Sequence, residues 1–120
     1  KPTPNRMRIN ALVRAKRHGF RTFASVEPIP VGMFDRAFSV IALSYPFVDL
    51  FKIGLQSGCR YTKRETLMFY NHVFDYWEAH PDKTPRIYWK DSFVRASGID
   101  RETLPGYCVP ANWDLFNEKK

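Results

Sequence analysis

Val48-Asp49-Leu50-Phe51-Lys52-Ile53-Gly54 is a nearly continuous apolar run, interrupted only at Asp49 and Lys52. A strand with one wet face alternates polar with apolar residues, so this run predicts a strand covered on both faces by helices, as in a parallel sheet. Its flanks agree. Upstream, Phe34, Ala37, Phe38, Ile41, Ala42 and Tyr45 recur at spacings of three and four, with Asp35 in the first turn and Pro46 ending the run. That pattern predicts a helix. Downstream, Gln56-Ser57-Gly58 reads as a loop. Thr62 and Glu65 then make a capping-box pattern, opening a helix whose apolar stripe is Leu67, Tyr70, Phe74 and Trp77, up to His80-Pro81.

The outer segments repeat the alternation. Over residues 8–18, Ile9, Leu12 and Val13 sit at helical spacing with Lys16 close to the stripe, and Gly19 follows as a left-handed cap. Phe20 to Val26 is rich in aromatic and β-branched residues and predicts a strand halted by Glu27-Pro28, after which Pro28 and Pro30 force an extended loop. Beyond the third helix, Asp82-Lys83-Thr84-Pro85 predicts a turn and Arg86 to Lys90 a third strand. Residues 92–97 predict a helical turn, and Gly98 to Lys120 an irregular tail packing through Tyr107, Trp113 and Phe116.

The order α-β-α-β-α-β with short connections implies parallel strands and right-handed crossovers. The expected fold is α/β: a partial (β/α) barrel over residues 1–97, the C-terminal half of a larger domain, with residues 98–120 as the tail. An open sheet of flavodoxin type has the same periodicity, which leaves strand order undetermined. Three strands are a poor stopping point, because both outer strands would present unpaired edges. The chain also opens with Lys1 rather than Met. The expected partners are therefore the missing N-terminal half of the barrel, or another copy pairing through exposed strand edges.

Composition narrows the function classes. Of the 120 residues, 44% are apolar and 16% aromatic, enough for one packed domain despite 9 Pro. No run reaches the roughly 18 apolar residues of a membrane span, and no signal-peptide pattern opens the chain, so a cytoplasmic protein without a membrane partner is expected. Charge is uneven. The net charge is +7, the first 21 residues hold seven of the 19 basic residues, and no acid precedes Glu27; the other 12 basic residues match the 12 acids. One reading is a nucleic-acid patch using Arg14, Arg17 and Arg21. The other is that Arg14, Lys16 and Arg17 occupy the last turn of a helix, where the macrodipole favours cations. Cys59 and Cys108 lack C-x-x-C spacing and are expected to be free thiols.

Side-chain alternation puts Phe23, Ser25 and Glu27 on one face of the first strand, Leu50, Lys52 and Gly54 on one face of the second, and Tyr88 and Lys90 on one face of the third. In a parallel barrel the helices cover the apolar side. Ser25, Glu27, Lys52 and Lys90 would then line the interior near the C-terminal strand ends, where barrel enzymes build their sites. One carboxylate between two ammonium groups would hold all three charged and could bind a zwitterionic or phosphorylated ligand; the alternative is a structural ion pair or ordinary strand ends. His18, His72 and His80 have no ligand spacing, so no metal site is expected. No phosphate-loop, dinucleotide or nucleophile-elbow motif occurs. Cys59 reads as a loop cysteine, and Tyr61, Tyr70, Tyr76 and Trp77 as packing residues.

Several words in sequence carry a family resemblance: Arg8-Ile9-x-Ala11-Leu12 leading to His18-Gly19-Phe20, then Ala24-Ser25-Val26-Glu27-Pro28-Ile29, Val48-Asp49-x-x-Lys52-x-Gly54 and Tyr88-x-Lys90-Asp91-Ser92-Phe93. Over residues 4–93 the chain resembles the later βα units of radical S-adenosylmethionine enzymes, especially the spore photoproduct lyase-like and phage-borne branch. The resemblance implies a (β/α) barrel in which Ser25 and Glu27 contact the ribose or amino acid part of S-adenosylmethionine, with Lys52 and Lys90 lining the same cavity. In that family a C-x-x-x-C-x-x-C loop holds a [4Fe–4S] cluster that cleaves the cofactor to a 5′-deoxyadenosyl radical. No such loop occurs here, so the expectation is the half of the barrel that lacks the cluster, inactive alone because a cluster needs its thiolates.

Overall fold

The computed structural model describes residues 4–80 and 85–117. Its elements are α1 (Pro4–Arg17), β1 (Phe23–Ile29), α2 (Phe34–Ser44), β2 (Leu50–Leu55), α3 (Lys63–Glu78), β3 (Arg86–Trp89) and α4 (Asp91–Ser97), with 3-10 turns at Tyr45–Phe47, Arg101–Thr103 and Leu115–Asn117. Residues 82–84 of the expected turn lie outside the described residues.

The strands form one open parallel sheet in the order β1-β2-β3. Neighbours in the sheet are thus neighbours in the chain. Helix α2 packs against both α1 and α3, and α3 packs against α4, so the helices share one face. A flavodoxin-type order would place β1 in the middle, which this sheet does not. The architecture is a singly wound partial (β/α) arrangement.

Local chemistry explains the helix ends. After α1, Phe20 N–H bonds Ala15 O at 3.1 Å and Gly19 N–H bonds Lys16 O at 3.0 Å, the Schellman pair, with Gly19 at φ +82. Thr62 Oγ1 accepts from Glu65 N–H at 3.0 Å while Glu65 Oε2 accepts from Thr62 N–H at 2.6 Å, completing the capping box. Trp77 is buried as expected, but the rest of the α3 seam runs one position before the predicted stripe: Thr66, Phe69 and Val73 are buried, whereas Leu67, Tyr70 and Phe74 are half-buried.

The core lies between the sheet and the helices. Phe51, Ile53, Ile87 and Trp89 meet Ile41 and Tyr45 from the α2 end, Phe69, Val73 and Trp77 from α3, and Phe93 from α4. The Trp77 indole N–H donates to Pro85 O at 2.9 Å, so this buried donor is satisfied, whereas the equally buried Trp89 indole N–H has no hydrogen-bond partner among the described residues.

Three expectations change. β1 does not stop at Glu27-Pro28 but runs through it, with a register shift between Val26 and Ile29 and a cis Glu27–Pro28 peptide. Proline is tolerated there because β1 is an edge strand and the ladder is already irregular. β2 is not covered by helices on both faces. On its second face, Leu50 is covered by the tail, where Leu115 is buried and Phe116 is 72% exposed. Finally, among the described residues only one edge of the sheet is open. Ile87 N–H donates to Tyr107 O at 3.0 Å and Val109 N–H to Ile87 O at 2.8 Å, so the tail straps the outer edge of β3.

Candidate functional site

The face away from the helices is polar towards the C-terminal ends of the strands. Ser25, Lys52 and Tyr88 lie in register across the three strands, and Glu27, Gly54 and Lys90 follow two residues later along each. Ser25 is exposed, while Glu27, Lys52, Tyr88 and Lys90 are half-buried.

Lys90 Nζ lies 2.7 Å from Glu27 Oε1. These residues come from the two outer strands, so the pair spans the middle one. Gly54 makes that possible: a Cβ there would stand 2.9 Å from Lys90 Cδ, 3.3 Å from Lys90 Cβ and 3.4 Å from Glu27 Oε1. The backbone aims Lys90 as well. Its N–H bonds Ile53 O at 2.8 Å as the last rung of the sheet, and it is the N-cap of α4, accepting from Phe93 N–H at 3.0 Å. The hydrogen bond to Glu27 raises the Lys90 pKa above its ordinary value; partial burial opposes this and the Glu27 charge adds to it.

The four predicted residues share one face, but their charged groups do not form one cluster. Lys52 Nζ lies 4.8 Å from the Phe23 ring centroid, toward the N-terminal end of β1. Only Glu27 and Lys90 pair.

The reading missed two features of this face. Gly54 was placed on it without a role, although a glycine inside a strand signals close approach by another group. Arg101, from the tail, bonds Asp91 Oδ1 at 2.5 Å and lies 5.6 Å from the Tyr88 ring centroid. No local pattern links residues so far apart in the chain.

The basic segment has partly structural employment. Lys16 Nζ lies 2.6 Å from Asp49 Oδ1, and Asp49 Oδ2 accepts from Thr22 N–H at 2.8 Å. Burial acts to raise the Asp49 pKa, but the bonds from Lys16 and Thr22 outweigh it and hold the carboxyl below its ordinary range. Arg14 and Arg17 are exposed in the last turn of α1, and Arg21 is half-buried in the loop after it.

The other candidates stand apart. Cys59 and Cys108 are free thiols on different segments, one exposed and one half-buried. Burial pushes the Cys108 thiol up to about 11, with Trp89 opposing in part, so it is not a ready nucleophile near neutrality. His18 and His80 each bond the carbonyl four residues earlier, Arg14 O and Tyr76 O, and His72 lies edge-on to Phe38. Among the described residues no group of three His, Cys, Asp or Glu could hold a metal ion, and no helix is long and apolar enough to cross a membrane.

No protein-family model, curated protein or solved structure matches the chain.

Proposed function

We propose that the chain forms the C-terminal half of a radical S-adenosylmethionine type barrel from a cytoplasmic protein, with Ser25 and Glu27 contacting the cofactor and Lys52 and Lys90 lining the cavity. The observation that carries this reading is the Glu27–Lys90 pair held across Gly54 at the C-terminal strand ends. Parallel barrels place their chemistry on that rim.

The donor set suits the cofactor. S-adenosylmethionine carries an ammonium, a carboxylate and ribose hydroxyls. Glu27 offers an acceptor to the ammonium or a hydroxyl, Lys90 a cation to the carboxylate, and the exposed Ser25 hydroxyl a further partner. When bound, the cofactor supplies a carbon–sulfur bond whose reductive cleavage begins radical chemistry. The chain's own residues orient the cofactor, and Glu27 holds the Lys90 ammonium charged before it arrives. The iron–sulfur cluster does not fit here. Cys59 and Cys108 are separate single thiols, so the residues of this rim would hold the cofactor without cleaving it.

Titration of S-adenosylmethionine into the isotope-labelled chain, followed by amide NMR, tests this. Saturable shifts are expected at Ser25, Glu27, Gly54 and Lys90, and Glu27→Gln should weaken binding about tenfold through loss of roughly 1.4 kcal/mol of charge-assisted bonding. Absence of shifts on this rim would sink the reading.

The exposure of Arg14 and Arg17 favours a second reading, a nucleic-acid-binding module. It predicts nonspecific DNA binding that falls steeply with salt and is lost when Arg14, Arg17 and Arg21 are replaced.

A further inference from the structure

The tail occupies the outer edge of β3, and among the described residues no strand pairs with the outer side of β1. Proteins ordinarily blunt such an edge with charge, proline or a covering element. Here Pro28 blunts only its far part, leaving Phe23 to Val26 as an open template, with Phe23 49% exposed. Beside this edge runs a groove of about 830 Å³ between α1 and α2, with Ile9, Leu12, Ala15, Val26, Met33 and Val40 among its walls. An apolar trough along a free strand edge has the form of a strand-addition site.

Charge selects the occupant. Arg36 lines the groove and is exposed, and Arg14 lies one turn from the groove residue Ala11 on α1. Glu27, also in the wall, is already paired with Lys90. The chain's whole positive excess lies within residues 1–21; there Lys16 is engaged by Asp49, while Arg14 and Arg17 are exposed in the last turn of α1. A second copy would bring its own basic helix against this one, whereas an acidic segment would be drawn to it.

We infer that the β1 edge and the α1–α2 groove form a docking surface for an extended partner segment, apolar at alternate positions and acidic at its flanks. This rests on the edge and its charge, and it differs from the barrel reading, in which the same β1 edge would pair with the missing N-terminal half.

The test uses the full chain and two synthetic peptides of alternating valine and threonine, one flanked by glutamate pairs and the other by lysine pairs. The glutamate-flanked peptide is expected to slow hydrogen exchange at the β1 amides and to bind at least about tenfold more tightly than the lysine-flanked one, a margin that shrinks with salt. Arg36→Glu, at an exposed site, should reduce that preference. Val40→Glu should weaken both peptides, with circular dichroism reporting that the fold is kept. Equal affinity for the two peptides, or no protection at β1, overturns the proposal. So does a dimer of the chain alone with its β1 amides protected, since the occupant would then be a second copy.

Discussion

A methyl group at position 54 would meet Lys90 Cδ at 2.9 Å, so the link between the outer strands depends on one missing side chain. Gly54→Ala is expected to swing the flexible Lys90 away, at a stability cost of about 1 kcal/mol. The Lys90 pKa should fall back toward its ordinary value of 10.5, read by NMR titration of the lysine side chain. The sign of the linkage follows. Because the pair raises the Lys90 pKa, its contribution is complete below 10.5 and is lost as pH rises through the higher folded-state value. The side chain is 44% exposed, so that contribution is held to under about 1 kcal/mol by solvent screening. Asp49 behaves oppositely. Its lowered pKa gives stability that is present above the ordinary value of 3.8 and lost as pH falls through the folded-state value. Asp49→Ala should cost about 2–3 kcal/mol in denaturant unfolding, since it strands the Thr22 N–H and Lys16 together. The facing of Ser25, Glu27, Lys52 and Lys90 was legible from strand alternation alone. That Lys52 turns to Phe23 while Lys90 reaches Glu27 was not, because side-chain direction depends on neighbours from other strands.

At the scale of elements, the tail acts as both strap and cover. Leu115→Ala is expected to destabilise the fold by about 2 kcal/mol, whereas Phe116→Ala should stay within about 0.5 kcal/mol, since only Leu115 is buried. Thermal unfolding of the two variants checks the contrast. Of the expected packing residues, Tyr107 and Trp113 are half-buried and Phe116 is exposed, because burial in an irregular segment follows from chain direction rather than residue type. Helix α3 was the most legible element, as its capping box is a local device needing no tertiary partner. β1 was read three residues early. Proline ordinarily ends a strand, yet an edge strand can lack that N–H without losing a ladder bond.

For the whole molecule, the two sheet edges should differ in solution. Hydrogen exchange is expected to be slow at Ile87 and Val109, bonded between β3 and the tail, and fast at the outward β1 amides of the free chain. Comparable protection at both edges would show that something already covers β1. Among the described residues, the β3 edge is taken by the tail and the outer side of β1 has no paired strand. The alternation of helix and strand, the parallel sheet, the helix caps and the placement of polar residues on one face are all readable from the order of residues. Those features follow from periodicities of two and 3.6 and from capping chemistry within a few residues. The strand order, the closure of the β3 edge by residues 107–109 and the Glu27–Lys90 pair across Gly54 emerge from the packed fold. Each joins segments far apart in the chain, and such contacts are selected by the packing of the whole rather than by any local pattern.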